Sequence, residues 1–429
     1  MSSRLTGGIR DAARQGRTSA RETVKYYSKS GKDEKRYIHA SFFTGVSGAV
    51  LWYILALYWF ALDFTSQEIG WMFAVGSATS GITLLFSGYL ADKFGRKGLA
   101  LIGLIGTTAG IAIYMADKNF ILFVGANALI SFSGSLTWPS MMALFAGKAE
   151  PSRLKYLFGM QAFTSQIGQT IGTFAGIAAP GLLPTFLAIT EIDSFRLVFL
   201  VGAILSALPI LYVLKVSEPP RIRERLLLEF DKKTRRNLYA WCAQSAFIGL
   251  GAALVMPWIS IVFTDGMGAT LWEVNLMLLL TSLVLSAGFF IVPFFAEARN
   301  PVKIIAVFQL ASILFLVAIP FSGGLAIAAV MYATRSFFML VPTPLVNGYV
   351  MNIVSERIRA SFVALGQLAW TVAFMCSEAF SGYLWNDDFT KPEPFIYCGI
   401  LYVFGTLVFY FYFRNVKEKH EVPATAGTK

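Results

Sequence analysis

The sequence predicts an all-α integral membrane protein with twelve transmembrane helices in two six-helix halves, and three observations lead there. Of its 429 residues, 56% are hydrophobic and 14% charged, whereas a water-soluble domain carries about 25% charged residues. The apolar residues fall into long blocks instead of the periodic stripes of an amphipathic helix, and about 20 apolar residues in helical form cross a bilayer core about 30 Å thick. The two halves also echo each other at an offset of 205 residues. Hydrocarbon offers no hydrogen bonds, so each block must satisfy its own N–H and C=O groups and is read as a helix. A membrane barrel would instead show short alternating strands around a polar lumen.

In chain order, residues 1–36 form a polar tail with ten Lys or Arg against four acids. It lacks the apolar core of a secretory signal. Arg10, Arg14, Arg17 and Arg21 share a helical face that suits anionic headgroups; a solvated tail or an organellar transit peptide are the alternatives. Apolar segments at 37–62, 69–91, 98–116, 120–146, 156–182 and 196–216 make the N-terminal half, 37–216. A charged loop, 217–237, links it to segments at 238–264, 274–296, 302–320, 325–350, 360–385 and 394–413, the C-terminal half, 238–413. Residues 414–429 form the C-terminal tail.

Charge orients the spans. The tails, the central loop and the alternate loops on their side hold 32 of the 36 Lys and Arg, the other four being Lys118, Arg196, Lys391 and Arg335. By the positive-inside rule both tails and the 217–237 loop are cytoplasmic, and the chain is expected in the cell's inner (plasma) membrane. Ten acids, from Asp63 to Glu393, lie on the opposite side. The +11 net charge is thereby accounted for by topology, with no nucleic-acid partner. Cys242, Cys376 and Cys398 all lie in apolar segments, without metal-ligand spacing. No metal or cofactor is expected.

At the 205-residue offset Glu68 maps to Glu273, Gly88-Tyr-Leu-Ala-Asp92 to Pro293-Phe-Phe-Ala-Glu297, and Pro139 to Pro344. Between the second and third spans the chain reads Gly88-Tyr-Leu-Ala-Asp92-Lys93-Phe-Gly95-Arg96-Lys97. Gly88 permits close helix approach, Gly95 a tight turn, and Asp92 sits among cations where it can pair with another helix. This loop resembles the signature loop of the major facilitator superfamily, with every defined position filled, and the resemblance covers about residues 37–415. It implies a secondary transporter in which two six-helix halves rock about a central site, with Gly88, Asp92, Lys93, Gly95, Arg96 and Lys97 latching one conformation. Gly168, Gly172 and Gly176 in the fifth span resemble the family's antiporter motif, although Thr173 replaces its proline and Ile177 its last glycine. Glycines at this spacing also suit plain helix packing. The family often has an arginine twelve residues before Pro139, where this chain has Asn127.

Two charges lie well inside the spans, Arg335 in the tenth and Glu378 in the eleventh. Ionisable groups at membrane depth cost roughly 2.5–3.5 kcal/mol, so they face a cavity or one another. The pair is expected to couple transport to protons or to bind substrate, or else to form a static salt bridge. Candidates for the cavity wall are Asn127, Trp138, Gln161, Gln166, Gln169, Gln244, Trp258, Tyr332, Asn347 and Gln367. Prolines 139, 209, 257, 293, 342 and 344 are expected to kink their helices. The expected function is secondary active transport of a small solute, by proton-coupled export. The alternatives are uptake of an anionic solute or metal chelate, or a non-transporting membrane sensor or scaffold. An enzyme would need clustered His, Asp, Glu or Ser inside the spans, and the sequence lacks such a cluster. The expected partners are a small-molecule substrate, the lipid bilayer and protons.

Overall fold

The computed structural model describes residues 28, 30–146, 151–218, 231–289, 300–354 and 358–416. Expectations that fall elsewhere lie outside the described residues: most of the tails, most of the central loop, and the end of the eighth span with Pro293. The all-α membrane class holds. Among the described residues nine helices are long and apolar enough to cross a bilayer, a bent pair adds a tenth, and two shorter apolar helices, Leu271–Leu285 and Leu325–Leu340, accompany them. We label the helices α1 (Lys32–Ala61, interrupted at Ile54), α2 (Ser66–Phe94), α3 (Arg96–Ile113), α4 (Phe120–Ala146), α5 (Pro151–Leu187) and α6 (Glu191–Leu214). After the central loop come α7 (Lys232–Gly266), α8 (Leu271–Phe289), α9 (Pro301–Phe321), α10 (Leu325–Leu340), α11 (Thr343–Asn352), α12 (Arg359–Trp385) and α13 (Glu393–Phe413).

Helix starts precede the apolar stretches where a polar first turn is capped. α6 begins at Glu191 because the Thr190 hydroxyl accepts from the Asp193 amide at 3.1 Å, satisfying an N–H with no intrahelical partner. The internal repeat is visible in such caps. Thr65 donates its amide (2.9 Å) and hydroxyl (3.0 Å) to Glu68, and its hydroxyl accepts from the Glu68 amide. Thr270 and Glu273, 205 residues on, form the same reciprocal capping box at 2.8, 2.8 and 3.3 Å.

The prolines act unequally. Pro139 and Pro209 lie inside the helices α4 and α6. Pro342 stands in the break between α10 and α11. At Pro257, α7 passes through a 3-10 turn, Met256–Trp258, a short α turn, Ile259–Ile261, and a π turn, Val262–Gly266, because proline has no N–H to return to Ala253. The 41° bend of α5 between Phe163–Gly176 and Ala178–Leu187 has the same origin in Pro180, which the apolar pattern alone did not single out.

Contacts divide the chain into two compact units. The first comprises Met1–Arg223, Ala253–Ser282 and Met375–Pro394, and the second Glu224–Ala252, Leu283–Phe374 and Phe395–Lys429. At one end of the first unit Tyr37 stacks on Phe145 with ring centroids 4.2 Å apart, within a cluster that includes Ala100, Leu104, Leu144 and Val213. Arg36 fastens α1 to the end of α6 there, bonding Asp33 at 3.0 Å and the Lys215 carbonyl at 2.6 Å. Toward the other end, buried Tyr58 packs on Phe123, Phe195 and Phe199 and donates to the Tyr114 carbonyl at 2.7 Å. The second unit has its own core, in which Tyr349 packs with Phe409 and Phe413 and donates to the Phe413 carbonyl at 3.0 Å. Large apolar side chains such as Ile121, Leu314 and Phe186 stand exposed, as suits a surface solvated by lipid.

Candidate functional site

The signature loop turns at Gly95, whose φ of +82° is strained for any residue with a Cβ. A Cβ there would also run into the Glu218 carboxylate. Lys97 donates to the Leu214 carbonyl at 2.8 Å, so the loop is seated on the end of α6. Arg96, partly buried, opens α3. Gly88 lies within α2, and the side chains of Asp92, Lys93 and Asn347 lie outside the described residues.

The three glycines of α5 face α1. A Cβ on Gly168 would collide with the Phe42 carbonyl, one on Gly172 with the Val46 backbone, and one on Gly176 with the Ile54 side chain. Gly45 of α1 returns the contact against Ser165 and Gln169. Apolar burial supplies no drive between helices in lipid, so backbone contact of this kind is what holds them.

A second close approach lies within the first unit, between the start of α2 and the end of α12. A Cβ on Gly70 would strike the Glu378 carbonyl and the Gly382 backbone, and one on Gly382 would strike the Ser66 carbonyl. Just beyond, Ser66 donates its amide to Asp387 Oδ1 at 2.6 Å, and the Asp387 amide donates to Ser66 Oγ at 2.8 Å. The Asp387 carboxylate thereby caps α2 from the turn that follows α12, meeting the positive end of its dipole. Asn386 and Asp387 sit at φ +44° and +56°, a left-handed turn that Asn and Asp tolerate better than other side chains.

The same end of α12 grips the irregular part of α7. Trp385 donates its indole N–H to the Leu254 carbonyl at 2.9 Å, beside the proline break. Trp258, fully buried, donates to Ser381 Oγ at 2.9 Å, and Ser381 donates on to the Glu378 carbonyl at 2.8 Å. Glu378 itself is 3% exposed, its carboxyl beside the Ser77 hydroxyl of α2, with Oε2 buried and unpartnered among the described residues.

Arg335 lies in the second unit, 5% exposed on α10. It donates from Nη2 to the Tyr402 hydroxyl at 3.2 Å, and its guanidinium carbon lies 5.9 Å from the Tyr402 ring centroid. Its Nε is buried without a partner among the described residues. Among the described residues neither Arg335 nor Glu378 belongs to an ion pair; each finds its polar contacts within its own unit.

The remaining candidates scatter. Asn127 is buried and donates to the Met72 carbonyl at 2.7 Å, filling the space left by Gly76; it ties α4 to α2. Gln161 and Gln244 are buried, the latter with Oε1 unpartnered, and Tyr332 is buried beside Ser336. Trp138, Gln166, Gln169 and Gln367 are exposed. None of them lines the cavity of about 580 Å³ in the first unit, which is bounded by Phe60, Glu191, Phe195, Asp265 and Leu271, among others. Sequence reasoning missed Ser66, Ser77, Asp387 and Tyr402, and also Asn275, fully buried with both amide atoms unpartnered among the described residues. The offset held one usable signal, since Asn275 is the counterpart of Gly70. Ser66 and Asp387 carried no local pattern, because their partnership exists only in three dimensions.

Comparison with known proteins gives a consistent picture. The sequence profile described as Major Facilitator Superfamily matches residues 38–375. An uncharacterized MFS-type transporter of Bacillus subtilis (strain 168), YqjV, is 30% identical over 124 residues, 29% of this chain and 30% of that protein. The trichothecene efflux pump TRI12 of Trichoderma arundinaceum is 24% identical over 40% of this chain and 26% of its own length. The multidrug resistance protein MdtH of Yersinia pestis (strain Pestoides F) is 29% identical over 26% and 29%. These matches span about 30% or less of the curated relatives' length. The fold is similar to that of a bacterial homolog of the human lysosomal transporter Spinster in an inward-facing, occupied conformation, with TM-score 0.73, 13% identity, and coverage of 88% of this chain and 95% of that one. It is also similar to that of a D-xylose-proton symporter, with TM-score 0.72, 13% identity and coverage of 91% and 98%.

Proposed function

We propose that this chain, which belongs to the major facilitator superfamily, exports a small solute across a membrane by alternating access, driven by a proton gradient. The observation that carries the reading is Glu378: a carboxyl at membrane depth, closed from solvent, with one oxygen unsatisfied. A lone ionisable group at that depth is costly and is kept where it serves a path for ions or substrate. Its main chain is bonded to Ser381, which receives the Trp258 indole, and its neighbour Ser77 lies on α2. Protonation of this carboxyl is thus placed to influence three helices at once. Asn127 gives the fourth span no charge, which leaves Arg335 and Glu378 as the ionisable groups well inside the spans that are available for coupling. The α5 glycines and the likeness to the trichothecene efflux pump TRI12 favour export. On the charge bias, the Ser66–Asp387 contact lies at the non-cytoplasmic end, where it closes one side and must part when that side opens. Uptake of an anionic solute is the second reading, and it is favoured by Arg335.

Counterflow in proteoliposomes tests the proposal. Vesicles loaded with unlabelled solute should accumulate labelled solute in a protein-dependent manner, across a panel of organic cations, neutral amphiphiles and carboxylates. Failure of every class, with folded protein in sealed vesicles, would reject transport and favour the sensor or scaffold reading.

A further inference from the structure

We infer that the second unit holds an anion site built on Arg335, and that its ligand is the carboxylate of a monovalent organic acid. The inference rests on the transport reading only in treating the ligand as cargo. Arg335 presents several N–H donors in a planar fork, and among the described residues one of them is used, by the neutral Tyr402 hydroxyl. Among the described residues Nε is buried and unpartnered, and no ion pair includes Arg335. A buried guanidinium left in this condition is costly, and a bound anion removes the cost.

The surroundings are built and not incidental. Tyr402 is 2% exposed, and its ring lies where a Cβ on Gly251 would sit, so α7 gives up a side chain to seat it. Cys398 lies one turn earlier on α13, fully buried, its carbonyl against Gly251 and its thiol beside Tyr402. Tyr332 lies one turn before Arg335 on α10, within reach of its charge. The ligand's charge follows from Arg335 being the only Lys or Arg well inside the spans, away from their ends: one guanidinium neutralises one negative charge, and a dianion would leave the other buried and unpaired. Its shape follows from the fork, which matches the two oxygens of a carboxylate. An aromatic body suits a site whose charge is flanked by Tyr332 and Tyr402, both buried.

Thermal unfolding of the purified full-length protein tests this without requiring flux. Sodium benzoate, sodium acetate, sodium chloride, sodium phosphate and neutral benzamide are titrated at matched ionic strength. Benzoate should raise the midpoint in proportion to the logarithm of its concentration above saturation, acetate less so, and benzamide not at all. Arg335→Gln should weaken benzoate binding at least about tenfold; Arg335→Lys keeps the charge but loses the fork and should fall between. Tyr402→Phe should retain binding with reduced preference for benzoate over chloride. Equal shifts with benzoate and benzamide, a response to chloride or phosphate alone, or an undiminished benzoate response in Arg335→Gln would each overturn the inference. If Arg335→Gln does not fold, the comparison of benzoate with benzamide on the unaltered protein decides. An absence of binding here leaves transport of other solutes standing, and an absence of counterflow leaves a measured anion site standing.

Discussion

Replacing Asp387 by alanine should open the contact between the start of α2 and the end of α12. The carboxylate accepts the Ser66 amide at 2.6 Å at a helix N-terminus, and hydrogen bonds to a charged group contribute about 1.5–3 kcal/mol. If the bond exists in one conformation and not in the other, its loss shifts their ratio by roughly ten- to 150-fold, at about 1.4 kcal/mol per factor of ten. A state that held 99% of the molecules would fall to about 90% at the low end and about 40% at the high end. Ser66→Ala removes the neutral bond from the Asp387 amide and should move the ratio less, by roughly two- to tenfold. The double variant should not exceed the sum, since both bonds belong to one contact. Spin labels near the ends of α2 and α12 read the two populations by their distance distribution. If Asp387→Ala leaves that distribution unchanged in a well-folded protein, the contact does not distinguish the conformations, and the latch reasoning fails.

Other perturbations follow from the same geometry. Trp385→Phe orphans the buried Leu254 carbonyl and should cost about 1–3 kcal/mol, lowering the unfolding midpoint; Trp71→Phe, which loses an exposed bond to Tyr383, should leave it nearly unchanged. Gly172→Ala drives a Cβ into the Val46 backbone and should cost about 1–3 kcal/mol as overpacking does, whereas Gly125→Ala, with open space around it, should be tolerated in the same assay. On the loop motif of the sequence, Asp92→Asn should change the balance of conformations in spin-label distances while leaving solute affinity in a trapped state within about twofold, well under 1 kcal/mol.

Much of the fold was legible because a bilayer imposes simple rules. The apolar blocks gave the membrane-spanning helices, although the block at 325–350 is split between α10 and α11, and the α5 glycines announced a close contact, although not that α1 would be the partner. Boundaries drifted where polar residues belong to the helix: Glu191 and Asp193 read as loop, but Thr190 caps them into α6. The effect of proline was legible in kind and not in place. Pro139 lies within a continuous α4, whereas Pro257 splits α7 into three helical forms whose freed carbonyl region is closed by Trp385. The buried charges could be picked out from the sequence because so few ionisable residues lie in the spans. Their partners could not be, since Ser77, Tyr402 and Cys398 are unremarkable in sequence and gain meaning from helix packing.

Proton movement in proteoliposomes tests the central claim most directly. With a pH-sensitive dye inside sealed vesicles and a gradient imposed, a solute that shows counterflow should dissipate the gradient in a protein-dependent manner. Glu378→Gln should abolish that dissipation while solute-for-solute exchange continues at a measurable rate. Full proton movement in folded Glu378→Gln would contradict the account, because the carboxyl that carries it would then be dispensable.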